Sequence, residues 1–447
     1  MRRFTFGRGG VHPPEHKEAS RHQPIVPGPL PAEMAVHLNQ HLGRPAKALV
    51  ALKDAVKVGD LLAEGDGLIS AGIHAPVSGT VKKIERRLSA SGAYENAILL
   101  EVDAAATEAD ADRFREVHSV ELEALDRQVL LDAIKAAGIV GLGGATFPTH
   151  VKLAPPPDMP VDTLVLNGAE CEPFLTADHQ LLLEQPEAVL RGAQVFQKIL
   201  GVPAVIVAIE ANKPDAIALL EARIQALGLK GFQVAILKTR YPQGGEKQLI
   251  QALLGREVPS GKLPFAVGVV VQNIATAFAA YEAVWHGKPV LERVVTVTGY
   301  VKRPGNYRLR LGTSIREAIE AAGGFVDEDR VRAVLHGGPM MGKSLRDLDV
   351  TVMKGTSGIV VLSEDDFRYE KEGPCIRCGR CIAACPMGLM PTELAVGAQF
   401  SLVDRLGDAA DCMECGCCSY VCPTHRKLVH WIRLGKAIHR NHARSKA

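Results

Sequence analysis

Two stretches of the sequence, CIRCGRCIAACP at residues 375–386 and CMECGCCSYVCP at residues 412–423, share one cysteine spacing. In each stretch, two residues separate the first three cysteines, three residues precede the fourth, and a proline follows it. Thiolates at this spacing can surround one corner of a cubane, and the remaining corner needs a ligand from elsewhere. The duplicated spacing therefore predicts two [4Fe–4S] clusters.

The fourth cysteine of each stretch is expected to bind the cluster of the other stretch. The first cysteine set is then Cys375, Cys378, Cys381 and Cys422, and the second cysteine set is Cys412, Cys415, Cys418 and Cys385. Zn²⁺ also accepts four thiolates, but zinc sites usually pair their cysteines two by two with a longer gap. Cys417, beside a ligand, is interpreted as a small filler residue.

The rest of the chain resembles an ordinary globular protein. Its 447 residues are enough for three or four domains, and 47% of them are hydrophobic. The formal net charge is 52 − 50 = +2 and aromatic residues make up 5%. Neither a basic surface nor base-stacking platforms are indicated, so we expect no nucleic-acid partner.

Cysteine usage indicates the compartment. Nine of the ten cysteines follow residue 370, and MRRFTFGRGG at the N-terminus lacks the apolar run of a secretory signal. Metal ligands in a reducing compartment are therefore favoured over disulfides. The apolar stretch 263–281 contains Pro264, Gly268 and Gln272–Asn273, which favours a buried strand over 266–271 followed by a helix rather than a membrane span. The chain is expected to be soluble by itself.

Four units are predicted along the chain, giving a multidomain α/β protein. They are a barrel-sandwich module at 1–125, a doubly wound α/β domain at 126–290, a β-grasp domain at 293–365 and an α-helical cluster domain with a basic tail at 366–447. Alternating strands and helices, beginning with a helix over 121–137, indicate the parallel sheet of the second unit. In the third unit we expect a hairpin at 303–306 and a helix capped by Thr313 or Ser314.

The first unit resembles the barrel-sandwich fold of biotinyl and lipoyl domains. The resemblance rests on VKVGD at 56–60 and IHAPVSGTV at 73–81. Those domains carry a modified lysine on a hairpin just before the second of these segments. Here the hairpin reads EGDGLISAG, and no lysine lies between Lys57 and Lys82. A structural or docking module is therefore predicted.

A glycine-rich loop, GIVGLGGATFPTHVK at 138–152, offers backbone N–H groups and a lysine to a phosphate. Alone it is a weak signal, because it is not the G-x-G-x-x-G fingerprint. Three further segments, NGAECEP at 167–173, GGEKQ at 244–248 and VVQNIAT at 270–276, follow strands or open a helix. In a doubly wound fold, ligand groups lie at such positions.

These segments, in this order, are similar to the flavin-carrying, NADH-oxidising subunit of respiratory complex I. The resemblance implies FMN held by Gly141, Gly143, Gly144, Lys152, Asn167, Glu170, Gly245, Asn273 and Thr276, with NAD(H) as substrate. It implies catalytic roles for Glu172 and Glu246 beside the flavin and the nicotinamide. The chain departs from that pattern at Leu142, where the family has arginine, and at Ala169, where it has an acidic FMN contact.

The order of all modules, from GGVHPPEHK at 9–17 through VTGYVKRPGNY at 297–307 to the cysteine stretches, resembles the RnfC subunits of Rnf electron-transport complexes. The resemblance implies an SLBB-type β-grasp domain and a role within an ion-translocating ferredoxin:NAD⁺ oxidoreductase. It implies integral-membrane and ferredoxin-type partner subunits, ferredoxin as an indirect partner, and a peripheral position on the cytoplasmic side of the inner membrane. The alternatives are a cobalamin reductase of the microcompartment type and a cluster relay without bound flavin.

The C-terminal segment is basic. After Glu414 it contains no acidic residue, and its positive residues are Arg426, Lys427, Arg433, Lys436, Arg440, Arg444 and Lys446. Leu428, Trp431, Ile432 and Ile438 recur near helical spacing, which predicts a basic amphipathic helix. This helix is expected either to cap the clusters or to dock on anionic lipid.

Overall fold

The computed structural model describes residues 3–366 and 370–446, with side chains through residue 442. The N-terminal segment crosses other units before it reaches the sandwich. Phe4 bridges Leu237 and Val11 bridges Tyr241, both in the doubly wound domain. Strand β1 (Ile25–Pro27) pairs in parallel with residues 306–308 of the β-grasp domain. Residues 3–27 therefore tie the units together rather than building the first one.

The barrel sandwich consists of two small antiparallel sheets, ordered β2-β8-β7-β4 and β3-β5-β6. Its elements are β2 (Glu33–His37), β3 (Lys47–Ala48), β4 (Ala55–Val56), β5 (Leu61–Glu64), β6 (Ile73–His74), β7 (Gly79–Leu88), β8 (Tyr94–Val102) and helix α1 (Ala104–Ala111). Alternating apolar residues from both sheets, including Val36, Leu62 and Leu100, fill a core of its own.

The doubly wound domain has a four-stranded parallel sheet ordered β11-β10-β9-β12. Its elements are α2 (Arg127–Ala136), α3 (Thr149–Lys152), β9 (Thr163–Gly168), α4 (Ala177–Glu184), α5 (Pro186–Leu200), β10 (Ala204–Glu210), α6 (Pro214–Ala226), β11 (Phe232–Leu237), α7 (Glu246–Leu254), β12 (Val269–Asn273) and α8 (Ile274–Trp285). The strands are nearly continuous apolar runs because helices cover both faces, with α5 and α8 on one face and α7 on the other.

Two boundaries in this domain differ from the sequence-based expectation. The helix expected over 121–137 begins only at Arg127, and a short 3-10 turn (Leu122–Ala124) precedes it. The strand expected over 266–271 is shifted, because Pro264 opens a 3-10 turn (Pro264–Val267). Gly268 then ends this turn with a φ of 73°, and β12 starts at Val269. In the described part of the chain no helix is long and apolar enough to cross a bilayer.

The β-grasp domain has a six-stranded sheet ordered β1-β14-β13-β17-β15-β16. Its own elements are β13 (Glu292–Gly299), β14 (Gly305–Arg310), α9 (Ile315–Ala321), β15 (Val331–His336), β16 (Lys343–Ser344) and β17 (Gly358–Ser363). The hairpin between β13 and β14 forms, but its loop lies at residues 300–304 rather than 303–306, because Gly305 and Asn306 already belong to β14 and pair with Val297 and Thr296. Ser314 rather than Thr313 caps α9, in a reciprocal capping box with Glu317.

The cluster domain consists of three short helices around the cysteines and a C-terminal helix of 19 residues: α10 (Arg380–Ala384), α11 (Pro391–Gln399), α12 (Cys417–Tyr420) and α13 (Leu428–Lys446). Other single 3-10 turns are Asp112–Phe114, Glu328–Arg330, Val403–Arg405 and Gly407–Asp411. One buried side chain joins the units that precede this domain. Lys354 donates to the carbonyls of Gly72 in the sandwich and Gly138 beside α2, each at 2.6 Å.

Candidate electron-transfer sites

The sheet order places two asparagines side by side at the carboxyl edge. Strand β9 lies between β10 and β12. From β9 the chain adds β10 and β11 on one side of it and then crosses to the other side to add β12, so the strand order reverses between β9 and β12. Ligands of doubly wound folds bind at this switch point. Asn167 and Asn273, at the ends of the two strands, are register partners. The structure therefore brings together two of the residues that the sequence singled out.

The side chain of each asparagine also forms hydrogen bonds that hold a neighbouring loop or helix in place. Asn167 donates to the Gly244 carbonyl at 2.9 Å and accepts from the backbone N–H of Ala169. Asn273 accepts from the backbone N–H of Ala275 at the start of α8 and donates to Asp178 at 2.6 Å. Burial raises the pKa of Asp178 to about 7, and nearby Glu170 adds to this rise.

The glycine loop fits a phosphate. Residues 143–145 are exposed, and in the described structure their three backbone N–H groups donate to no protein acceptor. Gly144 has a φ of 111°, and a Cβ there would meet no atom within 4 Å. A Cβ on Gly143 would lie 3.2 Å from the Asn273 side chain. Consecutive free N–H groups at a glycine turn form an anion-binding nest, so the loop can hold the phosphate of FMN.

Leu142 does not replace the arginine of the complex I pattern in function, because its side chain is buried. Its backbone is fixed on both sides. The N–H donates to Thr276 Oγ1 at 2.9 Å, and the carbonyl accepts from Arg293 Nη2 at 2.7 Å. Ala169 is also fully buried, so that position offers no polar group to a ligand.

The acidic residues of the predicted site lie in three different environments. Glu246 lies at the start of α7, and its half-exposed carboxylate accepts a hydrogen bond from Lys152 Nζ at 2.7 Å. The Glu170 carboxylate accepts from the backbone N–H groups of Asp178 and His179, so it caps the start of α4. Of the three, only Glu246 is paired with another residue of the predicted FMN site.

Glu172 lies at the junction of the doubly wound and β-grasp domains. Its carboxylate accepts from the backbone N–H groups of Met340 and Met341 in the β-grasp domain, at 3.0 and 2.8 Å. Tyr241 Oη donates to it at 3.4 Å. Burial raises its pKa, and the two Met N–H groups oppose that rise. The geometry thus links Glu172 to the β-grasp loop 337–342.

The second cysteine set surrounds a small apolar cavity. All four of its members line this cavity together with Met413, Leu394, Val429 and Ile432. Burial raises the pKa of the Cys418 thiol to about 12, and the neighbouring thiols of Cys412, Cys415 and Cys385 add to it. Four thiols around one apolar space suit a [4Fe–4S] cluster, whose ligands are thiolates.

The first cysteine set lies nearer the solvent. Cys375 and Cys378 are exposed, whereas Cys381 is buried. Burial raises the pKa of Cys381, and Cys422 and Cys375 lie close enough to add to that rise. The backbone N–H of Gly373 donates to the carbonyl of Thr424, which holds the two ends of this set together.

The second motif packs directly on the doubly wound domain. A Cβ on Gly245 would lie 2.6 Å from Met413 Cε, and a Cβ on Gly416 would lie 2.8 Å from the Met340 carbonyl. Cys171, Tyr241, Met340, Cys415 and Cys417 belong to one apolar cluster. The buried thiol of Cys417 fills space in it, in line with the expected filler role.

The C-terminal helix α13 covers the cluster domain. Leu428 and Ile432 are buried in one core with Cys381 and Cys418. Two basic residues of the helix, Arg433 and Lys436, donate to the Glu414 carboxylate at 2.9 and 2.7 Å. The first turns of α13 therefore pack on the core that contains Cys381 and Cys418, as the capping alternative predicts. The side chains of Arg444 and Lys446 lie outside the described residues.

Four contact residues of the site were missed from the sequence: Cys171, Asp178, Tyr241 and Arg293. Arg293 lies in β13 of the next domain, and Asp178 lies inside α4, so neither stands in a recognisable local motif. Tyr241 follows β11 and is almost completely buried. Only its position three residues before the segment 244–248 could have indicated a role.

Profiles of four domain families match consecutive parts of the chain. They are the "RnfC Barrel sandwich hybrid domain" at residues 4–105, the "Nuo51 FMN-binding domain" at 134–282, the "SLBB domain" at 294–344 and the "4Fe-4S dicluster domain" at 374–425. Fold and sites together define a multidomain flavin and iron–sulfur electron-transfer protein. The dicluster match decides against zinc.

Full-length relatives then identify the family. The chain is 44% identical over 97% of its length to the C subunit of the "Proton-translocating ferredoxin:NAD(+) oxidoreductase complex" of Clostridium ljungdahlii, covering 94% of that protein. It is 42% identical over 97% of its length to the "Na(+)-translocating" counterpart of Acetobacterium woodii, covering 96% of it. The chain belongs to the RnfC family, the C subunits of ion-translocating ferredoxin:NAD⁺ oxidoreductase (Rnf) complexes. This decides against a cobalamin reductase.

Two further similarities differ in extent. The C subunit of the "Ion-translocating oxidoreductase complex" of Rhodobacter capsulatus is 41% identical, with 87% of this chain and 74% of that protein covered. A solved NAD⁺-reducing [NiFe]-hydrogenase structure in the H₂-reduced state matches with a TM-score of 0.51 and 21% identity. That match covers 73% of this chain and 64% of the hydrogenase chain. It shows a shared fold.

Proposed function

We propose that this chain is the NAD(H)-facing subunit of its complex and passes electrons between NAD(H) and two [4Fe–4S] clusters. Integral-membrane and ferredoxin-type subunits are its partners, ferredoxin exchanges electrons with it indirectly, and other subunits couple this exchange to Na⁺ or H⁺ transport. When bound, FMN supplies the conversion between two-electron and one-electron chemistry. The following contacts support an order for the two clusters.

The observation that carries the proposal is the junction between the second cysteine set and the doubly wound domain. Met413 covers Gly245 at the start of α7, and Cys415 shares an apolar cluster with Tyr241 and Cys171. No member of the first cysteine set belongs to this apolar cluster of described residues, and two of its members are exposed. We therefore assign the second set to the cluster near the flavin and the first set to the cluster that faces a partner.

The proposed FMN site uses the carboxyl edge of the sheet. Gly141, Gly143 and Gly144 supply the phosphate loop, and Lys152 supplies a positive charge that is paired with Glu246. Asn167, Asn273 and Thr276 hold the surrounding backbone, and Glu170 fixes the start of α4. Gly245, at the start of α7, has no side chain, which makes room for Met413. Glu246 and Glu172 are the proposed nicotinamide-side carboxylates.

Anaerobic purification followed by NADH titration tests this function. The full chain should contain about eight iron atoms and one FMN, and NADH should bleach the cluster absorbance. Gly144→Val should remove FMN but not iron, because a β-branched side chain at φ 111° is strained and enters the loop's open face. Glu246→Gln should retain both clusters and slow bleaching by NADH.

Gly92 is the control position. It lies in a distant hairpin, and its φ of 88° and open surroundings resemble those of Gly144. Gly92→Val should leave FMN content and bleaching unchanged. Wild-type protein that binds iron but neither FMN nor NADH would contradict the proposed function. Unaltered FMN content in Gly144→Val would contradict the proposed phosphate loop.

Peripheral attachment at the cytoplasmic face is part of the proposal. Lys427 and Arg440 of the basic segment are exposed, unlike Arg433 and Lys436. Each basic residue near anionic lipid contributes about 1 kcal/mol. Lys427→Gln with Arg440→Gln should weaken sedimentation with anionic liposomes, with a smaller difference at high salt. Lys57→Gln with Lys83→Gln, two exposed changes on the sandwich, is the control. Equal binding by both double variants would contradict lipid docking by this helix.

A further inference from the structure

One peptide group of the glycine loop is held by a buried arginine from another domain. The carbonyl of Leu142 accepts from Arg293 Nη2 at 2.7 Å, and Arg293 lies in β13 of the β-grasp domain with an exposed fraction of 4%. The N–H of Leu142 donates to the buried hydroxyl of Thr276. Both sides of residue 142 are therefore fixed by buried partners.

This arrangement sets the direction of the next N–H group. Leu142 C=O and Gly143 N–H belong to the same planar peptide, and in a trans peptide they point in opposite directions. Arg293 on the oxygen side thus turns the Gly143 N–H away from the protein interior, where it finds no protein acceptor in the described structure. A charged donor on the oxygen also polarises the peptide and strengthens the N–H as a donor.

Within the described residues, the guanidinium of Arg293 bonds to backbone carbonyls and forms no salt bridge with a carboxylate. It donates to the Leu142 carbonyl at 2.7 Å and to the Thr356 carbonyl at 3.4 Å. Burial lowers the pKa of Arg293 to about 10, with Asp178 opposing that shift, so the side chain stays charged at neutral pH. Asp178 compensates this buried charge only in part, because burial raises the pKa of that carboxyl to about 7. A buried charge without full compensation is costly, and an anion on the other side of the loop would offset that cost.

We infer that Arg293 is a positioning residue for the phosphate of the flavin: it orients the loop N–H groups and supplies the positive charge beneath them. The inference rests on the proposed FMN site and adds a residue to it from the β-grasp domain. Leu142 stands where the complex I pattern has arginine, and in this chain a guanidinium reaches the same peptide from Arg293.

Comparing FMN with riboflavin tests the inference, because riboflavin lacks only the phosphate. Flavin-depleted full-length protein is titrated anaerobically with each by equilibrium dialysis. Wild type should prefer FMN, and Arg293→Met should lose about tenfold or more of FMN affinity while riboflavin affinity stays within about twofold. Arg293→Lys, which keeps the charge, should retain part of the preference and covers the case in which Arg293→Met does not fold.

Arg310→Met is the matched control, since Arg310 lies in the neighbouring strand and also donates to a carbonyl of another unit, that of Pro76. It should leave both affinities unchanged. An equal loss of FMN and riboflavin affinity in Arg293→Met would overturn the inference, and so would a preference kept in full. A loss confined to NADH affinity would assign the loop to a dinucleotide and also overturn it. A wild type that binds neither flavin would instead refute the proposed function.

Discussion

The two cysteine motifs have the same spacing but different surroundings. In the first motif, residues 375–380 are all exposed, whereas at the matched positions of the second motif residues 412–414 are half-buried and residues 415–417 are buried. Gly379 and Gly416 stand at matched positions with φ of 74° and 78°, yet only Gly416 is close to another domain. A local motif can thus define the ligands of a cluster, while packing against the rest of the chain decides which neighbour that cluster faces.

The difference extends to the residues between the cysteines. Ile376 is 63% exposed, whereas Met413 at the same position covers Gly245. Arg377 is exposed, whereas Glu414 at the same position binds two basic side chains of α13. In our proposal the first motif faces a partner and the second faces the flavin domain, so matched substitutions should have unequal effects.

Removing the fourth cysteine of either motif should give the largest effect. Cys385→Ala and Cys422→Ala should each lower the iron content from about eight to about four atoms per chain. Because Cys385 belongs to the second set, Cys385→Ala should remove the cluster near the flavin, and NADH should no longer reduce the remaining one. NADH should still reduce the remaining cluster of Cys422→Ala. Electron paramagnetic resonance after NADH or dithionite checks this.

The opposite pattern, with NADH reduction lost only in Cys422→Ala, would reverse the proposed order of the clusters. Loss of the cluster held by Cys375, Cys378 and Cys381 in Cys385→Ala would refute ligand exchange between the motifs. Dithionite, which reduces accessible clusters directly, serves as the control for both variants.

Matched glycine substitutions should differ in stability. Gly379→Ala meets open space, so its cost is that of a left-handed backbone, about 1 kcal/mol. Gly416→Ala adds a Cβ 2.8 Å from the Met340 carbonyl, and such overpacking adds roughly 1–3 kcal/mol. Cluster absorbance followed through anaerobic urea unfolding measures both. Equal midpoints would mean that the contact with the β-grasp loop contributes nothing.

A smaller effect is expected from truncating the residues that follow the first cysteine of each motif. Met413→Ala removes the side chain over Gly245, which should cost about 2 kcal/mol as a partly buried large-to-small change. It should also slow the reduction of the clusters by NADH while the iron content stays unchanged. Ile376→Ala should alter neither quantity. Stopped-flow bleaching of the two variants makes the comparison, and identical rates would argue against the junction as the electron route.

The smallest effect is expected at Glu414. Burial alone would raise its pKa, but Lys436 and Arg433 outweigh burial and lower it. Because the pKa of Glu414 is lower in the folded state than its ordinary value of 4.5, the ionised carboxylate stabilises the fold at pH values above about 4.5. This stabilisation is lost as the pH falls through the folded-state pKa. Glu414→Gln should therefore lower stability at pH 7 by about 1 kcal/mol, with a difference from wild type that shrinks below about pH 4.5.

Arg377→Gln at the matched position of the first motif should leave stability unchanged at every pH. Retention of the cluster absorbance in urea, measured at neutral pH and again on acidification, compares both variants. A difference for Glu414→Gln that does not shrink on acidification would show that its carboxylate charge is not what holds α13.

The sequence by itself determined the module order and predicted the two cysteine sets, because both depend on short-range patterns. Candidate cluster ligands follow from spacing and the parallel sheet from apolar strands between helices. The turn residues at 303–306 predicted the β-grasp hairpin, although its loop lies at 300–304. The loops at 138–152, 167–173 and 270–276 were found in the same way, because loops after parallel strands share one edge of the sheet.

Only the tertiary structure decided what those groups face. Arg293 is 151 residues from Leu142 in sequence, and Glu172 is 168 residues from Met340. Contacts at such separations depend on how domains pack, and local sequence patterns do not indicate this packing. The same reason explains why two motifs with one spacing differ in burial: ligand geometry is local, whereas access to flavin, solvent or partner depends on the surface that covers each motif.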